Sequence, residues 1–252
     1  MRFSSLGSGS KGNATIVEVG ETRLMIDCGF SARETERRMS LLGLEPGQLD
    51  AILVTHEHSD HSSGVDVLAR KFDIPVYMTH GTQSTERCGK VDNTHTFNCG
   101  VQLNIGEITV DTIAVPHDAR EPCQYVLHSK TKKLGILTDL GSITPFVIES
   151  YRHCDAMLLE FNHDSVMLAD GAYPESLKRR VGSDWGHLNN NQAAQFLSRV
   201  ETESCQHLLV AHVSDKNNSP TLAMAALAAT SDMADRAQVA DQDTGFSWLE
   251  IN

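Results

Sequence analysis

The densest group of chemically capable side chains lies within residues 56–61, which read His-Glu-His-Ser-Asp-His. Three imidazoles and a carboxylate offer the nitrogen and oxygen donors that divalent zinc, manganese and iron accept. In an extended segment, residues i and i+2 project to the same side, so His56 and His58 can bind one ion. Asp60 and His61 lie where the chain turns into the next helical pattern, and they can bind a second ion. The stretch therefore predicts a metal site for two divalent ions.

Three more strand-like segments end on a side chain that can bind a metal. The segment IAVPH ends at His117, GILTD ends at Asp139, and HLLVAH ends at His212. Loops at the ends of neighbouring strands can converge on one site, so long gaps in sequence are no obstacle. Taken singly, each residue could be an ordinary loop histidine or turn aspartate. Because the three share one context, we expect them to be the remaining ligands.

The elements that must position these side chains alternate between strand and helix patterns. An apolar run at residues 51–55 leads straight into the histidine-rich stretch, and residues 64–71 have helical spacing. Other predicted strands are residues 15–19, 23–28, 74–79, 101–105, 108–115, 124–128, 133–138, 157–160, 208–211 and 246–251. Other predicted helices are residues 31–42, 190–200 and 220–231. Two packed sheets with helices outside would satisfy this order, which predicts one α/β (α+β) domain spanning residues 1–252.

Composition and charge limit the classes of function. The 252 residues are 40% hydrophobic, which is enough for a large apolar core, and the net charge is −12. This charge counts against a broad basic footprint for nucleic acid. It does not exclude an enzyme that acts on nucleic acid, because two bound dications would add about four positive charges at the site.

The cellular setting is predicted from cysteine use and from apolar segments. The six cysteines are scattered, with no CxxC pair, so we expect small buried thiols and no disulfide framework. No apolar run approaches the roughly 18–20 residues of a membrane helix, and the first residues lack the apolar stretch of a signal peptide. We therefore expect a cytoplasmic protein with no membrane partner. The oligomeric state stays open.

The sequence resembles metallo-β-lactamase-fold proteins, whose HxHxDH signature is matched by THEHSDHSSG at residues 55–64. The order of the segments GSGSKGNAT, PHDAREPCQY, LEFNHD, GHLNNNQAA and AHVSDKNNSP narrows the resemblance to the YycJ/WalJ group. That group has been linked to 5′-to-3′ exonuclease activity on DNA. The resemblance implies a four-layer αββα sandwich with a dinuclear metal site at one edge and DNA as substrate.

The resemblance also implies a role for each matched residue. Two dications about 3.5–4 Å apart share a bridging water and lower its pKa from about 15.7 toward 7, so that the hydroxide is the nucleophile. Zinc, manganese and iron all suit the donors. The implied ligands are His56, His58 and His117 at the first metal, Asp60, His61 and His212 at the second, and Asp139 as a bridge between them.

Further residues are candidates for work beside the metals. His187, in the segment WGHLN, is the candidate general acid, because related phosphodiesterases place a histidine in this region; the alternative is a surface histidine ahead of a helix. Asp60 is also expected to take part in catalysis. The basic run at residues 178–180 is either a phosphate track or a solvated helix face. Weaker candidates for orienting ligands or contacting substrate are Asp27, Asn13, His163, Asp164, Lys216, Asn217 and Asn218.

Three classes of function fit this sequence. The leading interpretation is a metal-dependent phosphodiesterase that digests DNA from the 5′ end. The main alternative keeps the metals and changes the substrate to RNA, a cyclic phosphodiester, a thioester or a lactone, although no GHTPG-like segment surrounds His117. The third class is a non-catalytic partner protein, which the complete set of seven ligand positions disfavours.

Overall fold

Two seven-stranded sheets form the centre of the computed structural model, which describes residues 1–252. The first sheet has the order β14 (Phe246–Glu250), β1 (Arg2–Gly7), β2 (Ala14–Val19), β3 (Thr22–Ile26), β4 (Ala51–Leu53), β5 (Val76–Thr79) and β6 (Thr94–Phe97). The second has the order β13 (Ala237–Val239), β12 (His207–Ala211), β11 (Ala156–Glu160), β10 (Lys133–Leu137), β9 (Cys123–His128), β8 (Ile108–Ala114) and β7 (Gln102–Ile105).

Nine α-helices and two 3-10 helices connect the strands. The α-helices are α1 (Ala32–Leu41), α2 (Ser59–Ser62), α3 (Val65–Phe72), α4 (His80–Ser84), α5 (Pro145–Tyr151), α6 (Ser165–Asp170), α7 (Glu175–Val181), α8 (Asn190–Leu197) and α9 (Pro220–Thr230). The 3-10 helices are Pro46–Gln48 and Asp232–Arg236. None of the helices is long and apolar enough to cross a membrane.

Alternate side chains along the strands enter different hydrophobic clusters, and this alternation defines four layers. On β12, Leu209 packs in the cluster between the two sheets, whereas Leu208 packs in the cluster that includes α8 and α9. On β3, Leu24 faces the space between the sheets, and Met25 packs with residues of α1 and α3. The helices therefore cover the outer faces of both sheets. The predicted αββα sandwich is confirmed.

Three strands, β1, β6 and β13, lie outside the segments predicted from the sequence. Strand β1 reads RFSSLG, and its central serines are buried although their type does not favour a strand. The Ser4 hydroxyl donates a hydrogen bond to the carbonyl of Phe246 on β14, and β2 pairs along the other edge of β1. Partners distant in sequence therefore enforce this strand.

All six cysteines are free thiols, and five of them are buried.

Parallel pairing brings the carboxyl ends of several strands to one edge of the sandwich. In the first sheet β3 and β4 are parallel, so Ile26 lies beside Leu53. In the second sheet β10, β11 and β12 are parallel, so Leu137, Leu159 and Val210 lie side by side. The polar residues that follow these strands therefore lie at one edge.

Candidate active site

Three polar residues at these strand ends have a left-handed backbone. The φ angles are 60° at Asp27, 52° at Asp139 and 50° at His212. Such a conformation costs a residue other than glycine about 1–3 kcal/mol, and it persists only where its surroundings enforce it. At Asp27 the carboxylate accepts hydrogen bonds from the amide and hydroxyl of Thr55 at 2.8 to 3.0 Å. Strain of this kind is concentrated at functional sites.

The first group of converging donors contains His56, His58 and His117. Their ring nitrogens lie within 4.8 Å of one another. His117 Nδ1 donates a hydrogen bond to the carbonyl of Gly186 at 2.9 Å, which leaves its Nε2 unprotonated and 3.4 Å from His58 Nδ1. His56 is fully buried, and its Nε2 has no hydrogen-bond partner. The three predicted ligands of the first metal are therefore brought together.

The second group contains Asp60, His61 and His212. His61 Nδ1 donates to Asp27 Oδ2 at 2.8 Å, and its Nε2 lies 3.5 Å from Asp60 Oδ2. His212 Nε2 lies 3.6 Å from the same Asp60 oxygen. The second predicted set of ligands therefore also converges, and Asp27 fixes one of its imidazoles.

Asp139 lies between the two groups. One of its oxygens, Oδ2, is 3.2 Å from His61 Nε2, and the other, Oδ1, is 3.0 Å from His212 Nδ1. An Asp139 oxygen also lies within 4.8 Å of ring nitrogens of His56 and His61. This is the position that a residue bridging two ions would take.

The buried polar atoms of this cluster fit divalent cations. His56 Nε2, Asp139 Oδ2 and His212 Nδ1 are all buried and lack a hydrogen bond of acceptable geometry. Leaving such atoms without a partner costs about 1–3 kcal/mol each, so a shared ligand is expected between them. Imidazole nitrogens and carboxylate oxygens are the donors that zinc, manganese and iron accept.

Two buried members, His56 and Asp139, have the protonation states that metal binding requires. Burial is the main reason that the pKa of His56 lies well below its ordinary value, and the charge of His61 lowers it further. Burial would raise the pKa of Asp139, but the charges of His212 and His61 outweigh it and hold this pKa well below the usual range. A neutral imidazole and an ionised carboxylate are the forms that bind metals. Burial would lower the pKa of His61 and His212, but the Asp139 carboxylate raises both, so these two imidazoles must lose a proton to bind a metal.

Glu160, at the end of β11, belongs to the site although the sequence analysis assigned it no role. Its Oε1 accepts a hydrogen bond from His187 Nδ1 at 2.8 Å, and its Oε2 accepts one from the Leu188 amide at 2.9 Å. Burial would lower the pKa of His187, but the charge and hydrogen bond of Glu160 raise it. A polar residue after an apolar strand is the signal that identified Asp139 and His212, and it could have identified Glu160.

Asn13 and Asp27 are the two weaker candidates that contact the cluster. The Asn13 side-chain nitrogen lies 3.2 Å from His61 Nε2 and donates to the carbonyl of Asp60 at 3.3 Å. Its side-chain oxygen accepts a hydrogen bond from the Gly9 amide at 2.8 Å. Asn13 therefore connects the glycine-rich loop between β1 and β2, residues 8–13, to α2. Asp27 orients His61 as described above.

Other weak candidates have different tasks in the structure. The Asp164 carboxylate does not hold an imidazole; it caps α6 by accepting the amides of Val166 and Met167. Asn218 does not contact the site, because its amide bonds to the Phe161 carbonyl and to Asn190. His163 is buried outside the converging groups, and burial lowers its pKa to about 4.

The last two candidates, Lys216 and Asn217, follow His212 in the chain. The Asn217 side chain lines the cleft above the cluster, and its oxygen is buried without a partner. Lys216 Nζ lies 5.8 Å from the ring centroid of Tyr173, which also lines the cleft. Asn217 therefore lies in the cleft and Lys216 lies beside it, and neither contacts the cluster.

The cluster opens into a cleft of about 820 Å³. Its walls include His58, Asp60, Asp139, His187 and His212, so the converging donors are accessible to a ligand. The size is in the range of about 300–1,000 Å³ that is usual for small-molecule sites. The cleft can therefore hold one or two nucleotides or a molecule of similar size.

Comparisons with known proteins agree with the fold. A model described as a Beta-lactamase superfamily domain matches residues 22–212. Exodeoxyribonuclease YycJ of Bacillus anthracis is 39% identical over 227 residues, which cover 88% of this chain and 86% of that protein. Exodeoxyribonuclease WalJ of Streptococcus pneumoniae serotype 2 is 35% identical over 228 residues, which cover 88% of this chain and 85% of that protein.

A solved structure supports the same conclusion for the fold. The metallo-beta-lactamase fold protein YhfI from Bacillus subtilis superimposes with a TM-score of 0.76 at 16% identity, over 99% of both chains. The family match covers most of the chain and ends at His212, the last of the strand-end donors. The chain therefore belongs to the beta-lactamase superfamily and has the metallo-β-lactamase fold.

Proposed function

We propose that this chain is a metal-dependent phosphodiesterase that removes nucleotides from the 5′ end of DNA. The observation that carries the proposal is the convergence of seven donors in one cluster, four of which, namely His58, Asp60, Asp139 and His212, line one cleft. The class of substrate is supported by the names of the two exodeoxyribonucleases, which are similar over almost their whole lengths. The 5′-to-3′ direction is the one that the sequence resemblance implies.

The proposed metal site holds two divalent ions. His56, His58 and His117 would hold one ion, Asp60, His61 and His212 would hold the other, and Asp139 would contact both. When bound, such a pair supplies a water whose pKa is lowered to about 7 and neutralises charge on the phosphate. Zinc, manganese and iron remain equal candidates, because all three accept this donor set.

His187 would donate the proton that the leaving oxygen needs. Its Nδ1 is held by Glu160, and its side chain lines the cleft, so the opposite ring nitrogen, Nε2, is the atom that can reach a substrate. The raised pKa keeps the imidazole protonated to a higher pH than an ordinary histidine. General acid catalysis by a positioned side chain contributes about 10²–10⁴-fold to a rate.

We also propose that residues 1–252 act as one domain. Residues of both sheets share one central hydrophobic cluster, which supports this reading.

Product analysis on DNA tests the proposed function. A 5′-phosphorylated, internally labelled oligonucleotide is incubated with the protein and manganese, beside the Asp60→Ala variant. We expect the wild type to release mononucleotides from the 5′ end and the variant to release none. Asp66→Ala is a matched control, because Asp66 lies on α3 and is outside the converging groups.

The same assay distinguishes the alternatives. If an RNA of the same sequence is digested and the DNA stays intact, the protein is a ribonuclease. Cleavage of a generic phosphodiester without cleavage of either nucleic acid would keep the hydrolase and exclude the exonuclease. Digestion from the 3′ end would reverse the proposed direction.

A further inference from the structure

One wall of the cleft is apolar, and it comes from a single segment. Of the 20 residues that line the cleft only three are hydrophobic, namely Tyr173, Leu177 and Val181. Leu177 and Val181 are four residues apart and so share one face of α7, and Tyr173 lies just ahead of that helix. We call Tyr173, Leu177 and Val181 the α7 face. All three are only partly buried, so the protein leaves this face available to a ligand.

The α7 face is connected directly to the candidate catalytic histidines. The amide of His187 donates a hydrogen bond to the carbonyl of Val181 at 2.9 Å. The carbonyl of Gly186, the residue before His187, accepts the hydrogen bond of His117 Nδ1. A Cβ atom at Gly186 would lie 2.1 Å from the Val181 carbonyl oxygen, so only glycine permits this contact. The Val181 end of the α7 face therefore lies next to His187 and His117.

Positive charge accompanies the apolar wall. Arg180 lines the cleft and forms an ion pair with Asp118, whose Oδ1 lies 3.5 Å from His117 Nε2. Lys216 lies over the Tyr173 ring, and Arg87 lines the cleft as well. An aromatic and apolar surface flanked by cations is the combination that binds single-stranded nucleic acid, since bases stack on the surface and phosphates approach the cations.

We propose that the α7 face binds the base of the nucleotide that is being removed. This inference rests on the proposed function. A base that lies against α7 inside a cleft of about 820 Å³ cannot also remain stacked and paired within a duplex. Because every base has an apolar face, the binding is tolerant of sequence.

Kinetics with matched substrates test the inference. One single-stranded oligonucleotide carries a normal 5′ nucleotide, and a second carries an abasic nucleotide at the same position. We expect kcat/KM to fall about tenfold without the base, in line with the effect of removing one stacking contact.

The variant Tyr173→Ala/Leu177→Ala should remove this discrimination, so that the normal and abasic ends react at similar rates. Ser176→Ala and Arg179→Gln are matched controls, because these residues lie on the exposed side of the same helix and do not line the cleft. Both controls should keep the discrimination. Equal kcat/KM for the normal and abasic ends in the wild type would overturn the inference, and so would full discrimination in the double variant.

A binding measurement separates this inference from the proposed function. Isothermal titration compares a deoxynucleoside 5′-monophosphate with deoxyribose 5-phosphate, which lacks the base. We expect the wild type to bind the nucleotide about tenfold more tightly, and the double variant to bind both alike. If the wild type hydrolyses no DNA but shows this preference, the inference stands and the exonuclease fails. Equal binding of the two ligands by the wild type would contradict the inference whatever the activity.

Discussion

At the scale of single residues, three imidazoles of the site are each oriented by an oxygen bonded to Nδ1. His61 donates to the Asp27 carboxylate, and His187 to the Glu160 carboxylate. His117 donates to a backbone carbonyl, that of Gly186. In each case the hydrogen bond uses Nδ1, so the opposite ring nitrogen, Nε2, can act within the site. Partners of this type fix the tautomer and the ring orientation, and their loss commonly costs 10–100-fold in metal affinity or activity.

Glu160→Gln tests the orientation of His187. The amide keeps the shape of the side chain but removes the charge that holds the protonated imidazole. We expect kcat to fall about 10–100-fold while the metal content stays close to that of the wild type. Turnover and elemental analysis on the same preparation measure both quantities.

The control for this variant is Glu149→Gln, since Glu149 is an exposed residue of α5. It should leave kcat unchanged. A Glu160→Gln enzyme with kcat within about twofold of the wild type would show that this carboxylate does not support catalysis. Loss of metal in that variant would assign Glu160 to metal binding instead.

At the scale of elements, the site depends on a close contact between the loop after β3 and helix α2. A Cβ atom at Gly29 would lie 1.7 Å from the carbonyl oxygen of Asp60 and 2.7 Å from the Asn13 amide. Gly29→Ala should therefore push α2 away, lower the free energy of unfolding by about 1–3 kcal/mol and reduce the metal content. Denaturant unfolding and elemental analysis measure these effects.

Gly47→Ala is the matched control for the loop contact. A Cβ atom at Gly47 has Phe72 as its nearest neighbour, at 3.8 Å, which is an ordinary contact. The control should change stability by less than about 0.5 kcal/mol. If Gly29→Ala behaves like this control, the close packing of the loop on α2 is not needed for the site.

Helix α1 is connected to the rest of the protein by Arg38 and Glu34. The Arg38 guanidinium donates to the carbonyls of Leu6 and Gln242 and lies 4.0 Å from the centroid of the Phe30 ring. Hydrogen bonds from Arg37 and Arg38 lower the pKa of Glu34 to about 2. The ionised Glu34 therefore helps to hold Arg38 in its place beside the glycine-rich loop.

The lowered pKa of Glu34 predicts a dependence of stability on pH. Because the folded pKa lies below the ordinary value of 4.5, the stabilisation is complete above about pH 4.5 and is lost as the pH falls toward 2. The wild type should therefore lose more stability than Glu34→Gln over this range. The difference should stay below about 1 kcal/mol, since the pair is partly exposed. Urea unfolding at each pH measures the free energy of unfolding of both proteins. An equal loss in the wild type and in Glu34→Gln would contradict the prediction.

The sequence indicates which side chains come together at the strand ends, because each follows an apolar run that is visible locally. Glu160 has the same context, but its partner His187 lies on a distant loop, so their pairing is visible only in the folded chain. The buried serines of β1 have no local signal, since two neighbouring strands enforce that element. Asp164 and Asn218 lie in the motif segments, yet they cap and connect elements, and a motif alone cannot separate such tasks from contacts with a substrate.

At the scale of the whole molecule, the charge of −12 limits how DNA can bind. Cations near the cleft, such as Arg87, Arg180 and Lys216, are few, so we expect contacts with only two or three phosphates. For a single strand this predicts a slope of about −2 for log K against log salt concentration. Fluorescence anisotropy with a labelled oligonucleotide at several salt concentrations measures it. A slope of about −5 or steeper would indicate an extended basic track instead.

The central claim is that the converging donors hold two divalent ions on which hydrolysis depends. The most direct test measures metal content and DNA hydrolysis on one preparation, before chelation, after chelation and after manganese or zinc is restored. We predict about two ions per chain, loss of hydrolysis when they are removed, and recovery when they return. Hydrolysis that continues at the same rate in the metal-free protein would contradict the account.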